Sequence, residues 1–280
     1  MKSNQKIIQY YDYHQKYFKM LWYTPHDLAM HYGYWDSKTK KHSDALLNMN
    51  RALANIAKIK PTDLILDAGC GVGGSSIWLA RNFETEVIGI SLSQKQIDLA
   101  NNFAKENHVD HLIKFYVRDF LDTKFEYESF DVVWAIESVC YAENKSDFTS
   151  EAWRILRKNG RLIVADGFIK KEVLTEEEQK IVEKFCNGVK VPNLAEIAKF
   201  KKALRESKFK GTRFFDVTEK IMPSSKRLYY LCKFHLPLVK ILESFKITPK
   251  MLTRHILAGI NQYYGIIKKI FTYGIFYAEK

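Results

Sequence analysis

The chain predicts an α/β protein whose mainly parallel sheet is doubly wound by helices on both faces. Three features carry that expectation. Leu64–Ala68 is a short apolar run that stops at Gly69, Gly71, Gly73 and Gly74, and an apolar segment of helical period begins at once. Strand, tight turn and helix therefore follow one another. Further strand-like runs near residues 86–90, 113–117, 130–136 and 161–165 alternate with helical segments near 93–106 and 146–157, and right-handed crossovers between them give parallel strands. The run 130–136 is apolar almost throughout, as a strand covered on both faces must be.

Residues 3–23 place Ile7, Tyr10, Tyr11, His14, Tyr17, Phe18 and Leu21 at three- and four-residue spacing. This is an amphipathic aromatic helix that Pro25 is expected to end. Residues 43–58 read as a helix with Ser43 as N-cap and Leu46, Met49, Leu53 and Ala57 on its buried side. Pro61 breaks the chain ahead of the first strand.

The glycine turn is the first candidate site. Glycines there let the backbone approach a ligand closely, and the helix start beyond it offers unpaired N–H groups and a partial positive charge. Gly69, Gly71 and Gly74 also fit a dinucleotide fingerprint, so the glycines alone do not choose a ligand. Asp67 helps, because a carboxylate two residues before the first glycine suits the cationic end of S-adenosylmethionine. A nicotinamide dinucleotide wants an acid at the end of the second strand, where Ser91 stands instead. Ser91 and Gln96 can hydrogen-bond a ribose diol in its place, and Ser93 fits as N-cap of the following helix.

Glu137 arrives at the carboxyl edge of a buried strand, the edge where open α/β folds bind ligands. A carboxylate there must be hydrogen-bonded, paired or wet. Three tasks stay open for it: orienting an acceptor, stabilising a carbocation, or holding the N-terminal segment by hydrogen bonds. Cys140 reads as an inert wall residue, with no helix start or basic partner to form a thiolate.

Beyond the helix at 146–157, Lys158-Asn159-Gly160 reads as a turn with Gly160 at the helix C-cap. A helix at 194–207 precedes a sixth strand at 211–218, and 273–278 reads as the last strand. Between those two strands, residues 224–270 form a helix-rich aromatic insert, suited to roofing a hydrophobic pocket or to a dimer face.

The stretch Asp67-Ala68-Gly69-Cys70-Gly71-Val72-Gly73-Gly74-Ser75-Ser76 resembles motif I of class I S-adenosylmethionine-dependent methyltransferases. Gly89–Gln96 is similar to the second motif of their tocopherol and sterol C-24 methyltransferase group, which likewise lacks the usual acid. Trp134–Ala142 resembles that group's signature after the fourth strand, and His31-Tyr32-Gly33-Tyr34-Trp35 the segment ahead of its core. The resemblance covers about residues 30–166. It implies a Rossmann-like sheet of seven strands with an antiparallel last strand. An N-terminal helical lid (1–60) would precede the core (61–220), with a helical cap between strands six and seven (221–271) and the last strand at 272–280.

The resemblance also implies a site for S-adenosylmethionine. Asp67, Gly69, Gly71 and Gly73 would serve it from the turn, Ser91, Leu92 and Gln96 from the second strand and helix, and Ile136 and Tyr32 from the fourth strand and lid. Asp119 would accept from the adenine amino group, with Phe120 against the ring. Glu137 and His31 are the catalytic candidates beside the acceptor. The implied activity is methyl transfer to a small lipophilic or amphiphilic acceptor, at carbon, nitrogen or oxygen. A non-catalytic S-adenosylmethionine-binding scaffold and a lipid cyclopropane synthase are the alternatives. Against the latter, the carboxylate that binds bicarbonate in that family aligns here with Cys140.

Composition narrows the setting. Lys and Arg outnumber Asp and Glu by 44 to 32, and the first 166 residues hold 21 of each. The whole net charge of +12 thus belongs to residues 167–280, which suits an anionic partner, a membrane surface or a plain solvated lysine surface. Nucleic acid is not expected, since no aromatic-proline tetrad for base flipping is present. No run of about twenty apolar residues exists, so no transmembrane span is expected. The N-terminus leads to no apolar signal segment. Cys70, Cys140, Cys186 and Cys232 lack metal or redox spacing, so no metal and a reducing, cytoplasmic setting are expected.

Overall fold

The computed structural model describes residues 3–24, 26–171 and 173–280, so the expected stop at Pro25 lies outside the described residues. The first helix, α1 (Ser3–Leu21), has ended before it. Next comes α2 (His42–Ala57), which starts one residue earlier than expected and is preceded by Lys41 without a side-chain cap. Ser43 therefore lies inside the helix and does not cap it.

The alternating core follows the sequence pattern: β1 (Leu64–Ala68), α3 (Gly74–Phe83), β2 (Glu86–Ser91), α4 (Gln94–Glu106), β3 (Ile113–Val117) and β4 (Phe130–Ile136). Ser93 caps α4 by accepting from the Gln96 N–H. After a single 3₁₀ turn at Val139–Tyr141 come α5 (Lys145–Ile155) and β5 (Leu156–Ile169). Then follow α6 (Glu176–Val189), α7 (Ile197–Glu206), β6 (Lys210–Asp216), α8 (Thr218–Ser244), α9 (Lys250–Ile267) and β7 (Phe271–Glu279).

The seven strands lie in the order β3-β2-β1-β4-β5-β7-β6, with the first five parallel and β7 antiparallel to both neighbours. Strand order reverses between β1 and β4, which opens a crevice at their carboxyl ends. Successive residues bury opposite faces: Ile65, Trp134, Ile163 and Ile275 pack on one side, and Leu66, Val133, Val164 and Phe276 on the other. Each such side chain contributes roughly 1.5–3 kcal/mol, which fixes register because a one-residue slip would exchange the faces.

A further expectation needs correction, and one helix was not expected. Gly160 is not a helix C-cap, because α5 ends at Ile155 and the backbone continues as β5. Its carbonyl accepts from the Lys280 N–H at 2.9 Å, an antiparallel partner more than a hundred residues away. Helix α6 lies in no expected element, although its Thr175/Glu178 capping box and the acids Glu176, Glu177 and Glu178 in its first turn are local signals.

Helix α6 packs along α9, where Gly188 makes the close approach possible. A Cβ at Gly188 would overlap the Arg254 carbonyl oxygen and lie 2.6 Å from Cβ of Ala258. Gly188→Ala should therefore cost about 1–3 kcal/mol by overpacking, read as a lower urea midpoint at unchanged slope. A variant as stable as the parent would show that the two helices separate freely.

Candidate active site

The crevice begins at the glycine turn. The Gly69 and Cys70 N–H groups donate to the Ile90 carbonyl at 3.0 and 2.9 Å, which pins the turn to the end of β2. Gly71 lies at φ +54° beside the Met30 methyl, 2.5 Å from where a Cβ would stand. Asp67 is buried and accepts from Ser76 Oγ at 2.6 Å. Burial raises its carboxyl to about 6.

A cleft of about 100 Å³ lies over this turn. Of the expected cofactor residues it is lined by Asp67, Gly69, Gly71, Ser91, Leu92 and Gln96, and also by Phe120 and Ile136. Ser91 Oγ donates to Gln96 Oε1 at 2.7 Å, while Gln96 Nε2 is buried with no partner among the described residues. That leaves an amide donor for a ligand oxygen, which fits a ribose hydroxyl. Arg118, Met30, His31 and Glu137 complete the relevant wall.

Three expected residues stand elsewhere. Gly73 caps α3 at φ +87°, and a Cβ there would meet Phe115 and Ala100, so its smallness serves helix–sheet packing. Asp119 is not part of the cleft lining: its carboxylate accepts from Asn4 Nδ2 at 2.8 Å and from the Leu121 N–H at 2.9 Å. Tyr32 lines a second cavity, and its hydroxyl donates to Gln262 Oε1 at 2.9 Å.

That second cavity, about 290 Å³, is closed by α1, the segment after it, the 3₁₀ turn, α6, α8 and α9. Its lining is dominated by apolar and aromatic side chains, and among the described residues it includes no Lys or Arg. Tyr11, Met30, His31, Glu137 and Tyr141 line both spaces, so cleft and cavity share one wall.

His31 is buried in that wall. Its Nδ1 lies 2.9 Å from the Tyr32 carbonyl, which can only accept, so Nδ1 carries the hydrogen and Nε2 keeps its lone pair. Nε2 has no partner among the described residues, and burial lowers the imidazole to about 4. Glu137 sits just past β4 at φ +50°, a left-handed conformation that costs a non-glycine residue about 1 kcal/mol or more. Its Oε1 accepts from the Tyr32 N–H at 2.7 Å and from the Tyr273 hydroxyl at 2.9 Å. Of the three tasks left open for this residue, the geometry realises the holding of the N-terminal lid. Nearby, Asp166 accepts the N–H groups of Cys140 and Gly167 at 2.8 and 2.7 Å. Contrary to expectation a basic residue stands near Cys140, since Lys145 Nζ donates to its carbonyl at 3.0 Å, but burial outweighs that cation and pushes the thiol up, consistent with an inert wall.

Sequence reasoning missed Tyr273, Gln262 and Ser224 as site-building residues. Ser224 Oγ takes the Gly33 N–H at 3.1 Å and Trp35 Nε1 at 2.9 Å, clamping the lid to α8. The lid also reaches the core through Ser93 Oγ, which donates to Asp12 at 2.5 Å. Among the described residues no group of three or more His, Cys, Asp or Glu is placed to hold a metal.

Burial raises the Glu137 carboxyl from 4.5 to about 8, against the pull of its two donors. The folded chain then holds a proton between those values that the unfolded chain has lost, so stability is lost as pH rises through about 8. His14, His31 and His42, each lowered by burial to about 4, and His255, lowered to about 3, act with the opposite sign, and their effect is complete only about one pH unit above their unfolded value of 6.5. The histidines contribute alike to the parent and to Glu137→Gln, so the difference between the two across pH 6.5 to 8 isolates Glu137. By urea titration the parent should lose roughly 1–2 kcal/mol relative to Glu137→Gln across that window; parallel curves for the two would assign the titration elsewhere.

Residues 66–164 match the methyltransferase domain family. Tocopherol O-methyltransferase of Arabidopsis thaliana is 30% identical over 211 residues, which is 69% of this chain and 61% of that protein. Sterol 24-C-methyltransferase of Kluyveromyces lactis is 31% identical over 61% of this chain and 47% of its own length. The chain thus spans less than two thirds of these two relatives. Geranyl diphosphate C-methyltransferase from Streptomyces coelicolor superposes with a TM-score of 0.76 over 100% of this chain and 98% of that one, at 20% identity. With its glycine turn, strand order and antiparallel last strand, the chain belongs to the class I S-adenosylmethionine-dependent methyltransferases.

Proposed function

We propose that the protein moves the methyl group of S-adenosylmethionine onto a small lipophilic acceptor. The observation that carries this reading is the wall shared by the glycine cleft and the cation-free apolar cavity. When bound, S-adenosylmethionine supplies an electrophilic methyl group on a sulfonium centre. Asp67 and the Gly69–Gly71 backbone suit its amino-acid end, Gln96 Nε2 and Ser91 its ribose, and Phe120 its base.

The cavity side orients the acceptor. Enclosure by aromatic walls excludes water, and alignment of acceptor with donor can supply most of the rate enhancement. His31 Nε2, neutral and without a partner among the described residues, suits the uptake of a proton from an acceptor hydroxyl. Glu137 acts as a positioning residue by fixing the segment that carries His31.

The reading extends to the outside of α8. Tyr230, Phe234, Leu238, Ile241 and Phe245 are exposed at helical spacing, with Lys226, Lys233, Lys240 and Lys246 exposed around them. An apolar stripe among lysines suits peripheral contact with an anionic bilayer, from which a lipophilic acceptor would be drawn. No helix of the described residues is long and apolar enough to cross a membrane. Residence in the cytoplasm remains our reading of the four dispersed thiols.

Two measurements test this function. Release of S-adenosylhomocysteine from S-adenosylmethionine should depend on added lipophiles, and Gly71→Val should abolish calorimetric binding of S-adenosylmethionine, since its side chain strikes Met30 in a left-handed turn. Full affinity in that variant would refute the cleft. Sedimentation with phosphatidylserine vesicles should fall about tenfold in Phe234→Ser/Phe245→Ser, whereas equal pelleting, or loss of a dimer in its place, would reassign the α8 face to another partner.

A further inference from the structure

We propose that the mouth of the larger cavity, between the last turn of α1 and the middle of α8, is a portal that seats on an anionic bilayer, so that the acceptor passes from lipid into the cavity without crossing water. This rests on the bilayer contact and the methyl transfer read above, and it names the route into that site.

Met20 marks the mouth. It lines the cavity and is nonetheless 68% exposed, so the enclosed space reaches the surface beside it. Helix α8 borders the opening: Arg227 donates to the Leu21 carbonyl at 3.2 Å, and Tyr17 packs in one cluster with Cys232 and Val239. Leu231 and His235 carry the cavity lining along α8. Residues three apart on a helix are neighbours, so Leu231 adjoins Phe234 and His235 adjoins Leu238, both exposed. The apolar stripe on the outside of α8 therefore runs up to the rim of the cavity.

Charge names the surface that meets this rim. Lys16 and Lys19 on α1 and Arg227 and Lys233 on α8 are exposed beside it. The acids described on these two helices are engaged or distant: Asp12 accepts from Ser93, Glu243 accepts from Thr253, and Glu219 lies in the first turn of α8. An apolar rim flanked by cations fits acyl chains beneath anionic headgroups. The two ends of α1 also serve different openings. Ile7 and Ile8 line the glycine cleft and Met20 lines the cavity mouth, about 18 Å away at the rise of a helix. Between them the Tyr10 hydroxyl is bonded to Nδ1 of His255 at 2.6 Å, and the His14 ring lies 4.4 Å from that imidazole, which ties the middle of α1 to α9. A water-soluble donor and a lipid-dissolved acceptor thus have separate entrances.

The test labels the full chain. All four native cysteines are buried, so a nitroxide attaches selectively to Met20→Cys, to Phe234→Cys or, as a control ahead of the amino end of β4, to Tyr127→Cys, each at an exposed position. Thermal melting confirms that the variants fold. On mixed phosphatidylserine and phosphatidylcholine vesicles, the labels replacing Met20 and Phe234 should gain about tenfold in collision with oxygen relative to an aqueous nickel chelate, with the label replacing Tyr127 unchanged. Diphenylhexatriene carried in the same vesicles, followed by energy transfer from tryptophan, should enter the protein at a rate proportional to vesicle concentration, because protein and vesicle must collide. A label at Met20 that stays in water while the one at Phe234 is immersed overturns the portal and leaves the bilayer contact standing. Both labels staying in water defeats the two together. Entry at a rate independent of vesicle concentration, or no entry, also overturns the proposal. Failure to bind S-adenosylmethionine, measured by calorimetry in parallel, would instead defeat the methyl-transfer reading and leave the portal standing.

Discussion

One carboxyl oxygen holds the active-site region together. Glu137 Oε1 receives the Tyr32 N–H from 105 residues earlier and the Tyr273 hydroxyl from 136 residues later. Lid, carboxyl edge of β4 and last strand therefore close on a single atom. The backbone accepts a left-handed conformation to present it, and such strain persists only where the surroundings over-determine it. Tyr32 then carries the constraint onward, since its hydroxyl bonds Gln262 on α9, and Gln262 also accepts from Ser225 on α8 at 2.8 Å. Without that atom the lid would keep its hydrogen bonds through Ser224, Asp12, Asn4, Tyr10 and the Tyr32 hydroxyl but lose its tie to the edge of β4.

The cavity's chemistry follows from its enclosure. Desolvation disfavours every charge, so imidazoles are pushed down and carboxyls up, and His14, His31 and Glu137 share the neutral state near pH 7. Neutral groups can then recognise by hydrogen-bond direction instead of by charge. Among the described residues the lining holds no Lys or Arg, and the lysines of α8 lie exposed on its outer face.

How far this was legible in the sequence depended on the range of the interaction. The glycine turn, the Ser93 cap and the two-faced burial of β4 are local or periodic, and the alternating core was readable from them. Gly160 misled because its partner, Lys280, lies at the other end of the chain, and a strand completed by a distant neighbour leaves no local period. Helix α6 did carry a local signal in Thr175 and Glu178, a capping box that went unweighed. For Asp119 the family pattern pointed into the cleft, while the structure gives its carboxylate to Asn4, a tertiary choice that no spacing announces. The His14–Tyr10–His255 group was equally hidden, since helical spacing showed His14 facing inward without showing what it would meet.

The division between core and walls explains why donor and acceptor are unequally readable. The family match ends at residue 164, and it contains the glycine turn, Gln96 and Glu137. Most of the cavity wall lies outside it: Tyr10, His14 and His31 come before, and Phe185, Leu231, His255, Gln262 and Tyr273 come after. A site for the common donor can stay constant in the sheet while lid and cap vary around it, because function sits on loops and insertions carried by a rigid scaffold. Glu137 is the joint between the two, since it stands inside the matched region and bonds Tyr32 of the lid and Tyr273 of the last strand, both outside it. Changes of acceptor would then be accommodated by altering the walls that meet at this carboxyl, with the carboxyl itself kept.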